Sequence, residues 1–377
     1  MTNKGVKYRL YPTKEQEHQL LQEVGNQRFL WNKFLYKNIK YHDKTGKFKF
    51  WFGMCKYLKL FKRKNDFLLI GSSQALIQTL RDLDRALTNC FKHDYGFPKF
   101  KKKGCKDSFR IPGIFSSVNK GSIKIPKLGV IKINKHIPLG GKPKNLTILQ
   151  ENGKWYVSVC VEFEPIVLPK TGKSIGIDLG TVRLATGSKG QIKSSFKDVK
   201  NVKEIERKIK TVQRELARRV KGSNNWLKTK AKLQKLHLKL KNMRLDRLHK
   251  FSTMLVTKYD TIVIEDLKTS NMTRSAKGTL DKPGKNVKQK SGLNRSILKE
   301  GWFILRTMLE YKSDWYDKEL VAVDPKFTSQ ICSECGFKSK KNRKSQSKFK
   351  CGSCGFTLNA DHNAAINILN RGLDLAV

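Results

Sequence analysis

Ser174-Ile-Gly-Ile-Asp178-Leu-Gly180 ends a short β-branched apolar run on an acid, and Thr261-Ile-Val-Ile-Glu265-Asp-Leu267 repeats the arrangement further along. Runs of this kind read as buried strands that deliver a carboxylate to the edge of a sheet. A third acidic patch, Asn359-Ala-Asp361-His-Asn-Ala-Ala-Ile-Asn-Ile368, reads as a helix start. Asn359 suits the N-cap, Asp361 falls in the first turn, and Ala364, Ala365, Ile366 and Ile368 supply helix formers and an apolar face. One acid after a strand is commonly only a helix cap. Three such patches in one chain instead point to strand, strand and helix start converging on a metal site. Hard divalent cations take oxygen ligands, and two of them stabilise both the attacking and the leaving oxygen of a phosphodiester displacement.

Working outward, Asp178 is followed by strand-like Arg183-Leu-Ala-Thr and Gln191-Ile-Lys-Ser-Ser-Phe, then by two long helical patterns. Ile205, Ile209, Val212, Leu216 and Val220 line the first, Leu233, Leu236, Leu240 and Met243 the second, with a turn at Lys221-Gly-Ser-Asn-Asn225. After Glu265 a polar stretch from Lys268 to Ser291 reads as a mobile basic loop. A helix from about Asn294 to Lys318 and a strand at Glu319-Leu-Val-Ala-Val-Asp complete an α/β, RNase-H-like sheet. Upstream, Lys7-Tyr-Arg-Leu-Tyr-Pro12 reads as a strand, Thr13-Lys-Glu-Gln16 as a capping box, and helical periodicity continues to about residue 95. Short alternating strands from about residue 108 to Phe163 then read as a small β-barrel with a helical insertion, and 165–173 as a linker.

The chain carries 79 Lys plus Arg against 31 Asp plus Glu, a net charge of +48. Such an excess points to a polyanion partner, and nucleic acid fits better than a membrane. No apolar run approaches the roughly 20 residues of a spanning helix, and the N-terminus lacks the apolar core of a signal peptide. The expectation is a soluble, intracellular protein. Eight cysteines in 377 residues are too few for a secreted disulfide scaffold, and Cys55, Cys90, Cys105 and Cys160, standing singly, read as buried thiols.

The remaining four form Cys332-x2-Cys335-x15-Cys351-x2-Cys354, the spacing of a structural four-thiolate zinc site, with Gly336 and Gly355 after the knuckles. With every position taken by thiolate, no coordination site stays open for catalysis. Lys338, Lys340, Lys341, Arg343 and Lys344 make the intervening loop densely basic and candidate nucleic-acid contacts. Phe97-Pro-Lys-Phe-Lys-Lys-Lys103 interleaves rings with cations, and its Gly and Pro content argues for a loop in which Lys99, Lys101, Lys102 and Lys103 meet nucleic acid. The tract from Lys47 to Lys64 reads instead as a helix with an aromatic core face and a solvated basic face.

These residues together resemble the TnpB family, insertion-sequence proteins related to type V CRISPR effector nucleases. The likeness runs through Tyr8-Arg-Leu-Tyr-Pro-Thr13, Ser73-Gln-Ala-Leu-Ile-Gln-Thr-Leu-Arg-Asp-Leu-Asp84, Gly96-Phe-Pro-Lys-Phe-Lys101, Gly176-Ile-Asp-Leu-Gly180, Ile264-Glu-Asp-Leu267, Cys332-Ser-Glu-Cys-Gly336 and Asn363-Ala-Ala-Ile-Asn-Ile-Leu369. It implies a RuvC-type nuclease whose Asp, Glu, Asp set falls on Asp178, Glu265 and Asp361, holding magnesium. It also implies a wedge-type barrel with a helical recognition insert, a guide RNA from the transposon end, and a short motif read beside the double-stranded DNA target. The corresponding division is 1–12 with 96–167 for the barrel, 13–95 for the insert, 168–330 with 356–377 for the nuclease and 331–355 for the zinc ribbon, one copy acting on each RNA. Many relatives carry Arg before the third acid where this chain has Ala360, so altered support of the metal site is expected. A guided repressor without cleavage, a transposase acting in strand transfer and a CRISPR-associated miniature effector stay open beside the guided nuclease; retention of all three acids argues for cleavage.

Overall fold

In the computed structural model, residues 2–93, 95–104, 107–112, 117–119, 121–134 and 139–374 are described. The chain divides into two compact units, Met1–Glu164 and Pro165–Val377.

The first unit begins with β1 (Thr2–Tyr11), followed by α1 (Lys14–Thr45), α2 (Trp51–Arg63), α3 (Phe67–Ile70) and α4 (Ser73–Lys92). Thr13 and Gln16 close a reciprocal capping box at the start of α1, and Gly46 ends that helix in the left-handed region at φ 66°. Strands β2 (Ser108–Pro112), β3 (Ser117–Asn119), β4 (Ser122–Ile125), β5 (Gly129–Asn134), β6 (Lys142–Glu151) and β7 (Lys154–Phe163) then join β1 in a curled antiparallel sheet of order β2-β6-β7-β1-β5-β4-β3. Alternation places Val6, Tyr8 and Leu10 of β1 and Trp155, Val157, Val159 and Val161 of β7 in one core. Helices α1, α2 and α4 share another around Leu30, Phe34, Phe61, Leu80 and Leu83.

The second unit carries a mixed sheet. Strands β8 (Ser174–Asp178), β9 (Arg183–Gly187) and β10 (Gly190–Ser194) precede the helical pair α5 (Val202–Arg218) and α6 (Asn224–Lys258). Then come β11 (Thr261–Glu265), α7 (Thr269–Met272), α8 (Val287–Glu300), α9 (Trp302–Tyr316), β12 (Glu319–Val323), the ribbon strands β13 (Lys348–Lys350) and β14 (Thr357–Asn359), and α10 (Ala360–Asp374). The sheet order is β10-β9-β8-β11-β12, with β8, β11 and β12 parallel and β9 and β10 antiparallel. Consecutive buried residues in β8 and β11 follow from cover on both faces. Leu248, Phe251 and Leu255 of α6 and Leu305 and Leu309 of α9 pack in one core with Ile262 and Ile264, while Ile368 of α10 packs with Val263.

Several expectations need correction. The helix read from Asn294 to Lys318 is two helices, because Gly301 takes the left-handed conformation at φ 75° and serves as C-cap of α8 and N-cap of α9. The stretch from Lys268 to Ser291, read as a loop, contains α7 and the start of α8. Helix α8 buries only Ile297 and Glu300, too few to leave an apolar period in the sequence. Val220 lies beyond the end of α5 and is 78% exposed. Cys55, Cys90 and Cys160 are half-buried rather than buried, and Cys105 lies outside the described residues.

Candidate metal centres

Parallel pairing of β8 with β11 sets Ile177 opposite Ile264, so Asp178 and Glu265, one residue on, leave neighbouring strands side by side at their C-terminal ends. Helix α10 brings the third acid. The Asn359 side chain accepts from the Asp361 N–H at 3.0 Å and the His362 N–H at 3.3 Å, which caps the helix and puts Asp361 in its first turn. Two glycines let this helix lie close on the sheet. A Cβ at Gly176 would stand 2.2 Å from the Ala365 carbonyl oxygen, and one at Gly372 would stand 2.3 Å from a Val263 methyl. Only bare backbone fits at these contacts.

The acids share one electrostatic environment. Burial, then the charges of Glu265 and Asp361, push the Asp178 carboxyl up to about 7 against the opposing pull of Arg343 and the Leu179 N–H. Burial also raises Glu265, offset by a hydrogen bond from the Thr328 hydroxyl at 2.7 Å and by the Arg371 charge. Asp361 accepts from the Arg343 guanidinium at 3.4 Å, and Arg343 is itself held by the Gln346 carbonyl at 3.1 Å. The three carboxylates do not fall within 4.8 Å of one another, as the only set of three or more potential ligands that does so among the described residues is the four cysteines. Ligands of one magnesium ion lie no more than roughly 4.2 Å apart, twice the metal–oxygen distance. As they stand, the three donors are spread wider than the ligand set of one ion.

The four thiols do close. Cys332 and Cys354 Sγ are 3.8 Å apart, Cys335 and Cys351 Sγ 3.6 Å. A zinc–sulfur bond of about 2.3 Å gives a tetrahedral edge of roughly 3.8 Å, so the set fits zinc. Gly336 and Gly355 take φ 73° and 74° after the knuckles, as the sequence spacing required. Asn342 ties the two knuckles together, donating to the Gln330 and Phe337 carbonyls and accepting from the Gly352 N–H, each at 3.0 Å. The ribbon is fastened to α10 in turn. Asn363 donates to the Ile331 carbonyl at 2.8 Å and accepts from the Ser333 N–H at 3.0 Å, while Asn367 donates to the Thr328 and Ile331 carbonyls. Strand β14 runs straight into the turn that carries Asp361.

Three family models match: "Helix-turn-helix domain" over residues 1–47, "Probable transposase" over 158–276 and "Cas12f1-like, TNB domain" over 302–368. Across 372 residues the chain is 41% identical to the Escherichia coli K12 protein named "Putative RNA-guided DNA endonuclease InsQ", covering 98% of this chain and 92% of that one. The chain belongs to the TnpB family. A Streptomyces pristinaespiralis protein named "Putative RNA-guided DNA endonuclease" is 31% identical, over 98% of this chain and 89% of its own length. Among solved structures, the Cas12f1 chain of a Cas12f1–sgRNA–target DNA complex aligns at a TM-score of 0.58 and 15% identity, over 98% of this chain and 99% of that one, which shows a shared fold. In this TnpB chain the segment matched as helix-turn-helix is one strand and one 32-residue helix.

The basic residues of this TnpB chain fall into distinct settings. The segment from Phe97 to Lys103 is a loop pinned to α1: Trp31 donates to the Lys99 carbonyl at 3.1 Å, Asn32 accepts from the Lys101 N–H at 2.8 Å, and the Lys101 ammonium lies 4.0 Å from the Trp31 ring centroid. Lys102 and Lys103 are exposed. Lys338 sits over the Phe327 ring, and Lys340 and Lys341 open a short 3-10 turn. Arg343, read from the sequence with this basic group, turns to the third acid. Ala360 is fully buried against Cys332, Phe349 and Cys351. Arg343 was expected only as a nucleic-acid contact, and the sequence reading missed Thr328, Asn363 and Asn367. A signal existed for the last two, because paired asparagines four apart on the buried side of a helix are unfavourable unless their amides are bonded.

Proposed function

We propose that the chain is a transposon-encoded, RNA-guided DNA endonuclease that cuts target DNA beside a short adjacent motif by metal-dependent phosphodiester hydrolysis. The observation that carries this is the meeting of Asp178, Glu265 and Asp361 at the strand ends of a chain near-collinear with relatives named as such endonucleases. A central strand paired antiparallel on one side and parallel on the other supports an RNase-H-like, RuvC-type reading of the second unit. The curled sheet of the first unit supports a wedge-type barrel, with 13–95 as its recognition insert and 331–355 as the zinc ribbon.

Asp178, Glu265 and Asp361 would hold two magnesium ions. Bound ions supply an activated water and stabilise the leaving 3′ oxygen. The Thr328 hydroxyl orients Glu265, and Arg343 fixes Asp361 while offsetting part of the negative charge at Asp178. The four cysteines would hold a structural zinc that sets the register of α10. The partners are a guide RNA from the transposon end and double-stranded DNA, one protein copy acting on each RNA. Base pairing reads the target, while Lys99, Lys101, Lys102, Lys103, Lys338, Lys340, Lys341 and Lys344 neutralise backbone phosphates. The chain would work in the prokaryotic cytoplasm, at the nucleoid.

Co-purification from cells carrying the flanking DNA, followed by RNA sequencing and incubation with a matched supercoiled plasmid, tests the proposal. A discrete RNA and linearised plasmid support it. Discrete RNA without cutting favours a guided repressor, and strand joining favours a transposase.

A further inference from the structure

A cleft of about 280 Å³ opens beside Glu265, between the ends of β8 and β11 and helix α9. Ligands of open α/β sheets bind at the carboxyl ends of the strands, and Leu179 and Glu265 form that wall here. The opposite wall is aromatic. Trp302 is 6% exposed and Phe303 is 67% exposed. The Trp302 indole N–H is buried and finds no acceptor among the described residues. A buried donor left unpaired costs about 1–3 kcal/mol, so its retention at the wall of a cleft calls for an acceptor brought by a ligand. Of the two cations of the cleft, Arg306 is already paired with Asp266 and, at 2.9 Å, with Glu310, while Lys268 is exposed. The cleft thus sets a largely apolar wall, with one unpaired buried donor and one exposed ring, beside the polar side chains of Lys268, Thr269 and Ser270, and its size is near the smallest of ligand-binding clefts, roughly 300 Å³. A duplex does not fit such a slot. A single unstacked nucleobase does, and its π-face and ring acceptors match the ring and the donor.

We infer that this cleft seats the nucleobase adjoining the phosphodiester that is cut, taken from a DNA strand presented single-stranded to Asp178, Glu265 and Asp361. The inference rests on the nuclease reading for the position of that phosphodiester. Phe303 stacks on the base, the Trp302 N–H donates to its edge, and the pair sets a nucleotide preference at one position beside the cut.

Two measurements on the full-length chain, purified with the RNA it carries, test this. With magnesium left out, single-stranded DNA bearing 5-iodouracil at successive positions is irradiated and its adducts are mapped. Adducts should fall on Trp302 or Phe303 from one or two adjacent positions and should vanish in Phe303→Ala. With magnesium, a target library randomised around the cut should show a preference at one position. Trp302→Phe, which keeps an apolar ring, should flatten that preference roughly 3- to 10-fold, the span of one hydrogen bond. Adducts at the two aromatics without cutting would sink the nuclease reading while leaving the base seat. Cutting with adducts elsewhere, or with a preference unmoved by either variant, would overturn the base seat alone, and neither adducts nor cutting would overturn both.

Discussion

Asp178 holds its proton to about pH 7, whereas an ordinary aspartate releases it near 3.8, so folding binds a proton between those values. The stability tied to that proton is complete below pH 3.8 and lost as the pH rises through 7, on the order of 4 kcal/mol at most. Without divalent cations, Asp178→Asn should therefore melt several degrees above the parent at pH 8 and level with it near pH 4. Magnesium should raise the melting temperature of the parent and not of the variant. Equal melting temperatures at pH 8 would contradict the shared burial of the three charges. At this scale the acids were legible in the sequence because each ends a β-branched run or follows a capping asparagine. Arg343 was not, since a basic loop carries no period that marks which cation turns inward.

The approach of α10 to the sheet depends on Gly176, where an added Cβ would meet backbone rather than a movable side chain. Gly176→Ala should cost about 1–3 kcal/mol or more in a urea titration and, by displacing Asp361, lower cutting further than it lowers stability. Zinc held by the four cysteines would act on the same helix through Asn363, Asn367 and β14. Stripping zinc, or Cys351→Ser, should speed hydrogen exchange across 360–368 while leaving β8 and β11 protected, with cutting lost and not restored by extra magnesium. Strands were legible here by alternation, and the cysteine cluster by spacing alone. The break at Gly301 was not, because the apolar residues on either side keep a helical period while the backbone between them turns left-handed. Helix α8 was missed for the opposite reason, having almost no buried face to leave a pattern.

Across the whole molecule the net charge of +48 sets the character of binding. If about 6 to 10 phosphates are neutralised, non-specific DNA affinity should fall roughly 10³- to 10⁵-fold between 50 and 200 mM salt, and a flat salt titration would argue against a phosphate-tracking surface. Among the described residues no helix is long and apolar enough to cross a membrane. Charge and motif order made the nucleic-acid partner and the family legible from the sequence, whereas the aromatic cleft beside Glu265 comes from residues distant in the chain and appears only on folding. Whether the three acids form one catalytic unit is decided by the magnesium-dependent cutting rate of a matched target by the parent and by Asp178→Ala, Glu265→Ala and Asp361→Ala. Each variant alone should lose roughly 10³-fold or more, as members of one unit do. Near-parental cutting by any of the three would contradict it.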